Sequence, residues 1–353
     1  MKIPVIEEKT VQALEAVLDE IPFLSNVEIE RRPQPPDFTL QVETPAGTQT
    51  LLIEVKSSGQ PRQARQAVAQ LLRYLNNQPD AYGIFVAPYV SERAPAVCKE
   101  AGIGYLDLGG NCRLVFDHVF IEKKGIPNQY PERRERREQR SLYTPKASRM
   151  LRVLLDDPSR HWRMKNLAEE AHVSLGHVAN VKQLLLDREW LRDDKEGLYL
   201  AEPAALFSEW AENYRQRRSL VHDFYSFDAP GEIEQRIGEA CRDAGVRYAL
   251  TAFSGAERLA PFVRYQRATA YVEENLEEIA RDLSLKPVSS GANVQLIEPY
   301  DEGIFYGTLC KDDLWVASPV QLYLDLSITK ERGDEAAAFL YREMIQPGWQ
   351  QPA

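Results

Sequence analysis

The 353-residue chain is too long for one ordinary core; 44% hydrophobic and 27% charged residues suit folded protein of two or three domains. Its net charge of −10 excludes a globally basic nucleic-acid binder. No apolar stretch is long enough to span a bilayer, the first residues carry no apolar secretory core, and the four cysteines form no Cys-x-x-Cys pair, so a cytoplasmic, reduced setting is expected and a thiolate zinc site is not. The charge is unevenly spread: residues 1–130 hold 13 Lys/Arg and 16 Asp/Glu, 131–200 hold 15 and 12, and 201–353 hold 15 and 25. Only the middle is basic, so any phosphate contact there is expected to be local.

Val11, Leu14, Leu18 and Ile21 recur at helical spacing and predict a first helix. The run Pro33-Gln34-Pro35-Pro36-Asp37 interrupts any helix. Residues 38–42 alternate and suit a strand, Pro45-Ala46-Gly47 signals a turn, and 51–55 is an apolar run of strand length. Residues 62–76 predict a helix with Ala67, Leu71 and Leu75 on one face. Residues 83–87 read as a buried strand, 91–101 as a helix and 104–108 as another strand. Strands alternating with helices imply an α/β core.

This first third also carries a chemical pattern. Asp37 opens one strand, and Glu54-Val55-Lys56 closes the next, so a hairpin brings the two ends together. Alternation points Glu54 and Lys56 to one face. Two carboxylates and a backbone carbonyl suit Mg²⁺ or Mn²⁺, and a lysine beside them can stabilise developing charge on a phosphodiester. The segments Pro36-Asp37 and Glu54-Val55-Lys56, followed by Gln70-Leu71-Leu72-Arg73-Tyr74, resemble the PD-(D/E)XK nuclease superfamily, the last being similar to the Gln-x-x-x-Tyr element of its RecB-like branch. The resemblance implies a restriction-endonuclease-like fold and metal binding by Asp37 and Glu54. It further implies catalytic support from Lys56, and orientation of the site or of DNA by Gln70 and Tyr74. In that superfamily an acidic residue of the first helix sometimes joins the site; Glu8 and Glu15 are the candidates, and Glu15 lies well inside the periodic helix, with a solvated helical face as the alternative. Asp107 and Asn111 read as a strand end and a Gly-rich turn.

Residues 127–144 read as a charged connector, in which Arg133, Arg134, Arg136, Arg137 and Arg140 interleave with Glu132, Glu135 and Glu138 as a solvated helix. The next segment predicts helices over 150–155, 164–171 and 175–189, with Ser174 as an N-cap, then two short strands at 190–192 and 198–200 around an acidic tip at 193–197. This order resembles a bacterial winged helix, which implies a third helix laid in the major groove. His177, Asn180, Lys182 and Gln183 are its outward candidates: Asn180 and Gln183 for base edges, Lys182 for phosphate. The acidic tip favours protein contact instead, because it would repel phosphates.

In the last part, 247–256 reads as strand, turn and helix, 267–272 as a strand, 274–283 as a helix, 294–297 as a strand, and 318–326 and 333–345 as helices. The motifs Tyr-Ala-Leu-Thr-Ala-Phe-Ser (248–254) and Ser-Pro-Val-Gln-Leu-Tyr-Leu-Asp-Leu (318–326), after a winged helix, resemble the AbiEi family of type IV antitoxins over about residues 145–346. That implies a regulator that binds its operator and is paired with a nucleotidyltransferase-like toxin. The N-terminal domain departs from the short members of that family. An active nucleotidyltransferase needs a Gly-Ser turn and a following carboxylate pair; Ser254-Gly255 is reversed and Glu273-Glu274 fits a helix start, so the domain reads as an inactive, degenerate form of that type.

The expectation is a multidomain α/β chain: residues 1–126 nuclease-like, 127–144 linker, 145–203 winged helix, and 204–353 AbiEi-like. Two functions stand side by side. One is a DNA-binding regulator of the antitoxin type; the other is a Mg²⁺-dependent DNA endonuclease of phage or plasmid defence, targeted by the winged helix. DNA is the partner of both, a homo-oligomer is compatible with both, and neither needs a membrane.

Overall fold

A computed structural model describes residues 3–31, 36–127, 142–214, 219–330 and 332–349, with backbone course alone for 3, 4 and 25–31. The connector arginines at 133, 134, 136, 137 and 140, and Pro33 to Pro35, lie outside the described residues. The chain divides into two compact units: residues 1–139 with 184–189, and residues 140–183 with 190–353. The three-helix segment and the C-terminal domain, expected apart, thus fall largely in one unit.

The first unit runs α1 (Ile3–Leu18), β1 (Ser25–Arg31), β2 (Phe38–Thr44), β3 (Gly47–Val55), α2 (Pro61–Leu75), β4 (Tyr82–Ala87), α3 (Ala94–Glu100), β5 (Gly104–Asp107), β6 (Cys112–Phe116) and β7 (Val119–Lys123). The strands lie side by side in chain order. Pairing is antiparallel from β1 to β3, parallel from β3 to β5, and antiparallel again to β7. The parallel pairs need crossovers, which α2 and α3 supply. Because side chains alternate along a strand, β3 serves two cores at once. Leu51, Ile53 and Val55 pack with Ile6, Leu14 and Leu18 of α1, whereas Leu52 packs with Ala64, Ala67 and Leu71 of α2. The strands β1, β6 and β7 were not expected from the sequence. Cys98 and Cys112 are buried in these cores, and burial pushes their thiols up to about 12 and about 11, so both behave as small apolar groups.

The second unit opens with α4 (Pro145–Asp156), α5 (Met164–Glu170) and α6 (Leu175–Asp187), the last turn of α6 being assigned to the first unit. Pro145 takes the first position of α4 behind Thr144, whose Oγ1 accepts from the Ala147 amide. The antiparallel pair β8 (Leu191–Asp193) and β9 (Leu198–Leu200) follows. Next come α7 (Pro203–Tyr214), β10 (Leu220–Tyr225), α8 (Pro230–Asp243), β11 (Tyr248–Leu250), α9 (Ala252–Leu259), β12 (Ala268–Val272), α10 (Leu276–Asp282), β13 (Lys286–Pro287), β14 (Val294–Glu298), β15 (Leu309–Lys311), β16 (Leu314–Val316), α11 (Pro319–Ile328) and α12 (Gly333–Leu340). Their strands form one mixed sheet in the order β13-β10-β14-β12-β11-β16-β15. Ile233 and Ile237 of α8 and Ile279 of α10 cover one face; Ala256 of α9, Leu322 of α11 and Leu340 of α12 cover the other. The elements α7, β10, α8, β13, β15 and β16 were not expected. Among the described residues no helix is long and apolar enough to cross a membrane.

A Cβ added at Gly255 would lie 2.4 Å from Leu322 Cδ2 and 2.7 Å from the Leu250 carbonyl oxygen. The backbone contact cannot swing away, so Gly255→Ala is expected to cost about 1–3 kcal/mol, read as a lower urea midpoint. An unchanged midpoint would mean that the β11–α9 turn yields freely.

A buried polar network ties α4 to α11. Arg152, 1% exposed, donates to Gln321 Oε1 (2.5 Å), Tyr300 Oη (3.1 Å) and Ser148 Oγ (2.9 Å), and its guanidinium lies 5.0 Å from the Trp210 ring centre. Gln321 Nε2 passes the contact on to Asp325 Oδ1 at 2.9 Å. Asp325 also accepts from Tyr214 (2.7 Å), Tyr271 (3.0 Å) and Thr251 (2.5 Å).

Candidate active site and candidate nucleic-acid interface

The β2–β3 register pairs Phe38 with Ile53, which sets Asp37 opposite Glu54 at the same end of the hairpin. Asp37 Oδ2 accepts the Val55 amide at 2.7 Å, which locks the carboxylate beside the strand end. Glu54 is 4% exposed, on the α2 face. Lys56 Nζ donates to Glu54 Oε1 and to Gln70 Oε1, each at 2.6 Å. Gln70 reaches the pair because α2 begins only five residues after Lys56. That short entry depends on Gly59, where a Cβ would fall 1.8 Å from the Tyr89 carbonyl oxygen. The strand end, the loop and α2 are thereby pinned against the segment after β4.

Burial pushes the Glu54 carboxyl above the ordinary carboxylate range; the Lys56 hydrogen bond opposes the shift and the nearby Asp37 charge adds to it. Burial, then the charge of Glu54, raises the Tyr74 phenol, which places Tyr74 within the same field. The structure therefore brings Asp37, Glu54, Lys56 and Gln70 together, with Tyr74 one turn further along α2. Glu15 is not brought in: it is exposed on α1, whose buried side chains pack on the other face of the sheet from Glu54. Asp107 closes a turn, accepting from the amides of Gly109 and Asn111 (both 2.9 Å) and from Asn111 Nδ2 (2.9 Å).

Two residues of this site went unread in the sequence. Arg73 acts on both Glu54 and Tyr74 and stands next to Tyr74 in α2. Thr39 lies on the Glu54 face two residues past Asp37, and its Oγ1 is buried without a partner among the described residues. Period-two alternation from Asp37 was the available signal for Thr39.

Glu54 Oε2 is likewise buried with no hydrogen-bond partner among the described residues, and such an oxygen calls for a donor or a cation. Among the described residues no group of three or more His, Cys, Asp or Glu side chains gathers as a metal cluster. Two carboxylates still suit Mg²⁺ or Mn²⁺, because Mg²⁺ binds through one or two and keeps several waters. The residues present fit such an ion.

In the middle segment Ser174 caps α6 by accepting the His177 amide at 3.2 Å. Val178, Val181 and Leu185 are buried; Asn180 and Gln183 are exposed. His177 is half-buried, and burial, then the Lys146 charge, lowers its pKa. Lys182 makes an ion pair with Asp193 of β8 at 2.6 Å, with both side chains reached by solvent. The acidic tip also has a local purpose: Asp194 Oδ1 accepts the amides of Glu196 (2.9 Å) and Gly197 (3.1 Å) and shapes the turn. In the C-terminal sheet Glu273 is held by Arg247, with Nε at 2.7 Å, and is engaged as an ion pair.

No curated protein matches the chain. One solved structure, titled "Structure of EndoMS in apo form", is similar at 13% identity and a TM-score of 0.20, over 28% of this chain and 44% of that one. The chain thus spans less than half of that protein. A family model described as "Transcriptional regulator, AbiEi antitoxin, Type IV TA system" matches residues 199–346, which begins after the three helices rather than at residue 145. The C-terminal part of the chain, from β9 through α12, is therefore similar to the AbiEi antitoxin family of transcriptional regulators.

Proposed function

We propose that the chain is a DNA-binding regulator of the antitoxin type, in which α4, α5, α6 and the β8–β9 hairpin act as a winged helix. The observation that carries this reading is the family match over residues 199–346. In this reading the C-terminal sheet domain meets a toxin partner, of the nucleotidyltransferase type that the family resemblance implies, and α6 enters the major groove. Phosphates are met by exposed cations, Lys146 at the start of α4, which shares a cleft with Ser174 and His177, and Arg163 ahead of α5. The full chain in EDTA is expected to bind duplex DNA from upstream of its own gene, with affinity falling steeply as salt rises. Lys146→Ala should weaken binding to all sequences alike and flatten the salt slope by about one. Binding indifferent to salt, or unchanged in Lys146→Ala, would turn α6 toward protein instead.

A second reading rests on the Asp37, Glu54, Lys56 and Gln70 geometry: a metal-dependent phosphodiesterase acting on DNA. A bound divalent ion would supply a Lewis acid and a water of lowered pKa. Asp37 and Glu54 are the residues that would hold it. Lys56, steadied by Gln70, presents a cation to the charge that develops on the phosphodiester, and Tyr74 and Arg73 border the approach. The two readings are compatible: a regulator can carry a site that cuts.

A further inference from the structure

The surface stripe of α6 consists of Leu175, Gly176, Ala179, Asn180 and Gln183, at the spacing of one helical face, and all five are exposed. Leu175 is 52% exposed although apolar. The stripe holds no arginine and no lysine. The single cation in the sequence of α6 is Lys182, bound by Asp193.

The bases make different demands on such a stripe. Guanine offers O6 and N7 in the major groove and is read mostly by arginine or lysine. Adenine offers N7 and the N6 amino group, which match the two ends of one amide side chain. Thymine adds a methyl group that takes an apolar neighbour. Asn180 supplies the amide, with Ala179 beside it and Leu175 about one turn before Ala179. The usual reader of guanine is lacking.

We infer that α6 is a reader of adenine–thymine pairs. Asn180 holds an adenine through N6 and N7, and Ala179 and Leu175 lie against thymine methyls. The inference rests on the reading that α6 enters the major groove. Lys146 and Arg163 match the backbone's charge but carry no sequence information, so they set affinity and leave the choice of base to the stripe. Lys146 lines one surface cleft with Ser174 and His177, which places that cation next to the first turn of α6.

The test is selection from a randomised duplex pool by the full chain in EDTA, followed by anisotropy titrations on the selected duplex. The expected result is a motif of A·T pairs in which one adenine depends on Asn180. Changing that pair to G·C should weaken wild-type binding on the order of 10-fold. Asn180→Arg should move the preference at that position to guanine and still bind. A motif with G·C at the centre of the contact, or a motif unchanged in Asn180→Ala, would overturn the inference and leave DNA binding standing. No binding to any duplex would overturn both.

Discussion

On the phosphodiesterase reading, Glu54→Ala is expected to abolish metal binding and metal-dependent DNA cleavage together while the protein stays folded. Glu54 is one of two carboxylates at the site, and its Oε2 is the buried oxygen left without a partner. Removing it should lower Mn²⁺ affinity more than about 100-fold and any cleavage rate by at least about 10³-fold. The fold should tolerate the change, because Glu54 carries a desolvation penalty that alanine relieves and Lys56 retains Gln70. The raised Glu54 pKa fixes the sign of the pH effect: protons compete with metal at a higher pH than they would at an ordinary carboxylate. Mn²⁺ titrations by calorimetry should therefore show affinity falling early as pH drops from neutral. Equal Mn²⁺ affinity in wild type and Glu54→Ala would remove the site from the account.

Arg152→Ala is expected to destabilise the second unit by about 3–5 kcal/mol. For a unit of this size that lowers the melting temperature by on the order of 10 °C. Arg152 is almost fully buried, and its loss strands Gln321 Oε1 and Tyr300 and removes the guanidinium packed on Trp210. The Asp325 carboxylate, which burial already pushes toward its neutral form, would lose a relayed cation. Asp325→Ala should be comparably severe, since it leaves Thr251, Tyr214, Tyr271 and Gln321 without their common acceptor. A double mutant that costs far less than the sum of the two would report a shared network. Costs below about 1 kcal/mol for both would mean that packing alone holds α4 to the sheet domain.

The local pattern at the N-terminal site was legible because its residues are close in sequence and strand alternation is strict. Asp37, Glu54 and Lys56 need only a hairpin to meet, and Gln70 only one short helix entry. Glu15 was less legible: periodicity gave the helix but not the face of the sheet it would cover. The C-terminal motifs were visible as patterns, yet their reason was not. Thr251 of the first motif and Gln321 and Asp325 of the second meet in one buried network, with Gly255 pressed against Leu322. A contact across seventy residues leaves no local periodicity to read. The Lys182–Asp193 ion pair was equally hidden, because its partner sits on a separate strand and an isolated helix shows only an outward lysine.

The proposed binding to DNA is tested most directly by gel shift in EDTA with wild type and Glu54→Ala side by side, using DNA upstream of the chain's own gene and an unrelated duplex. Both proteins should shift the upstream DNA with equal affinity and prefer it to the unrelated duplex, because the proposed regulator binds through α6 and not through Glu54. No shift with either DNA would contradict DNA binding.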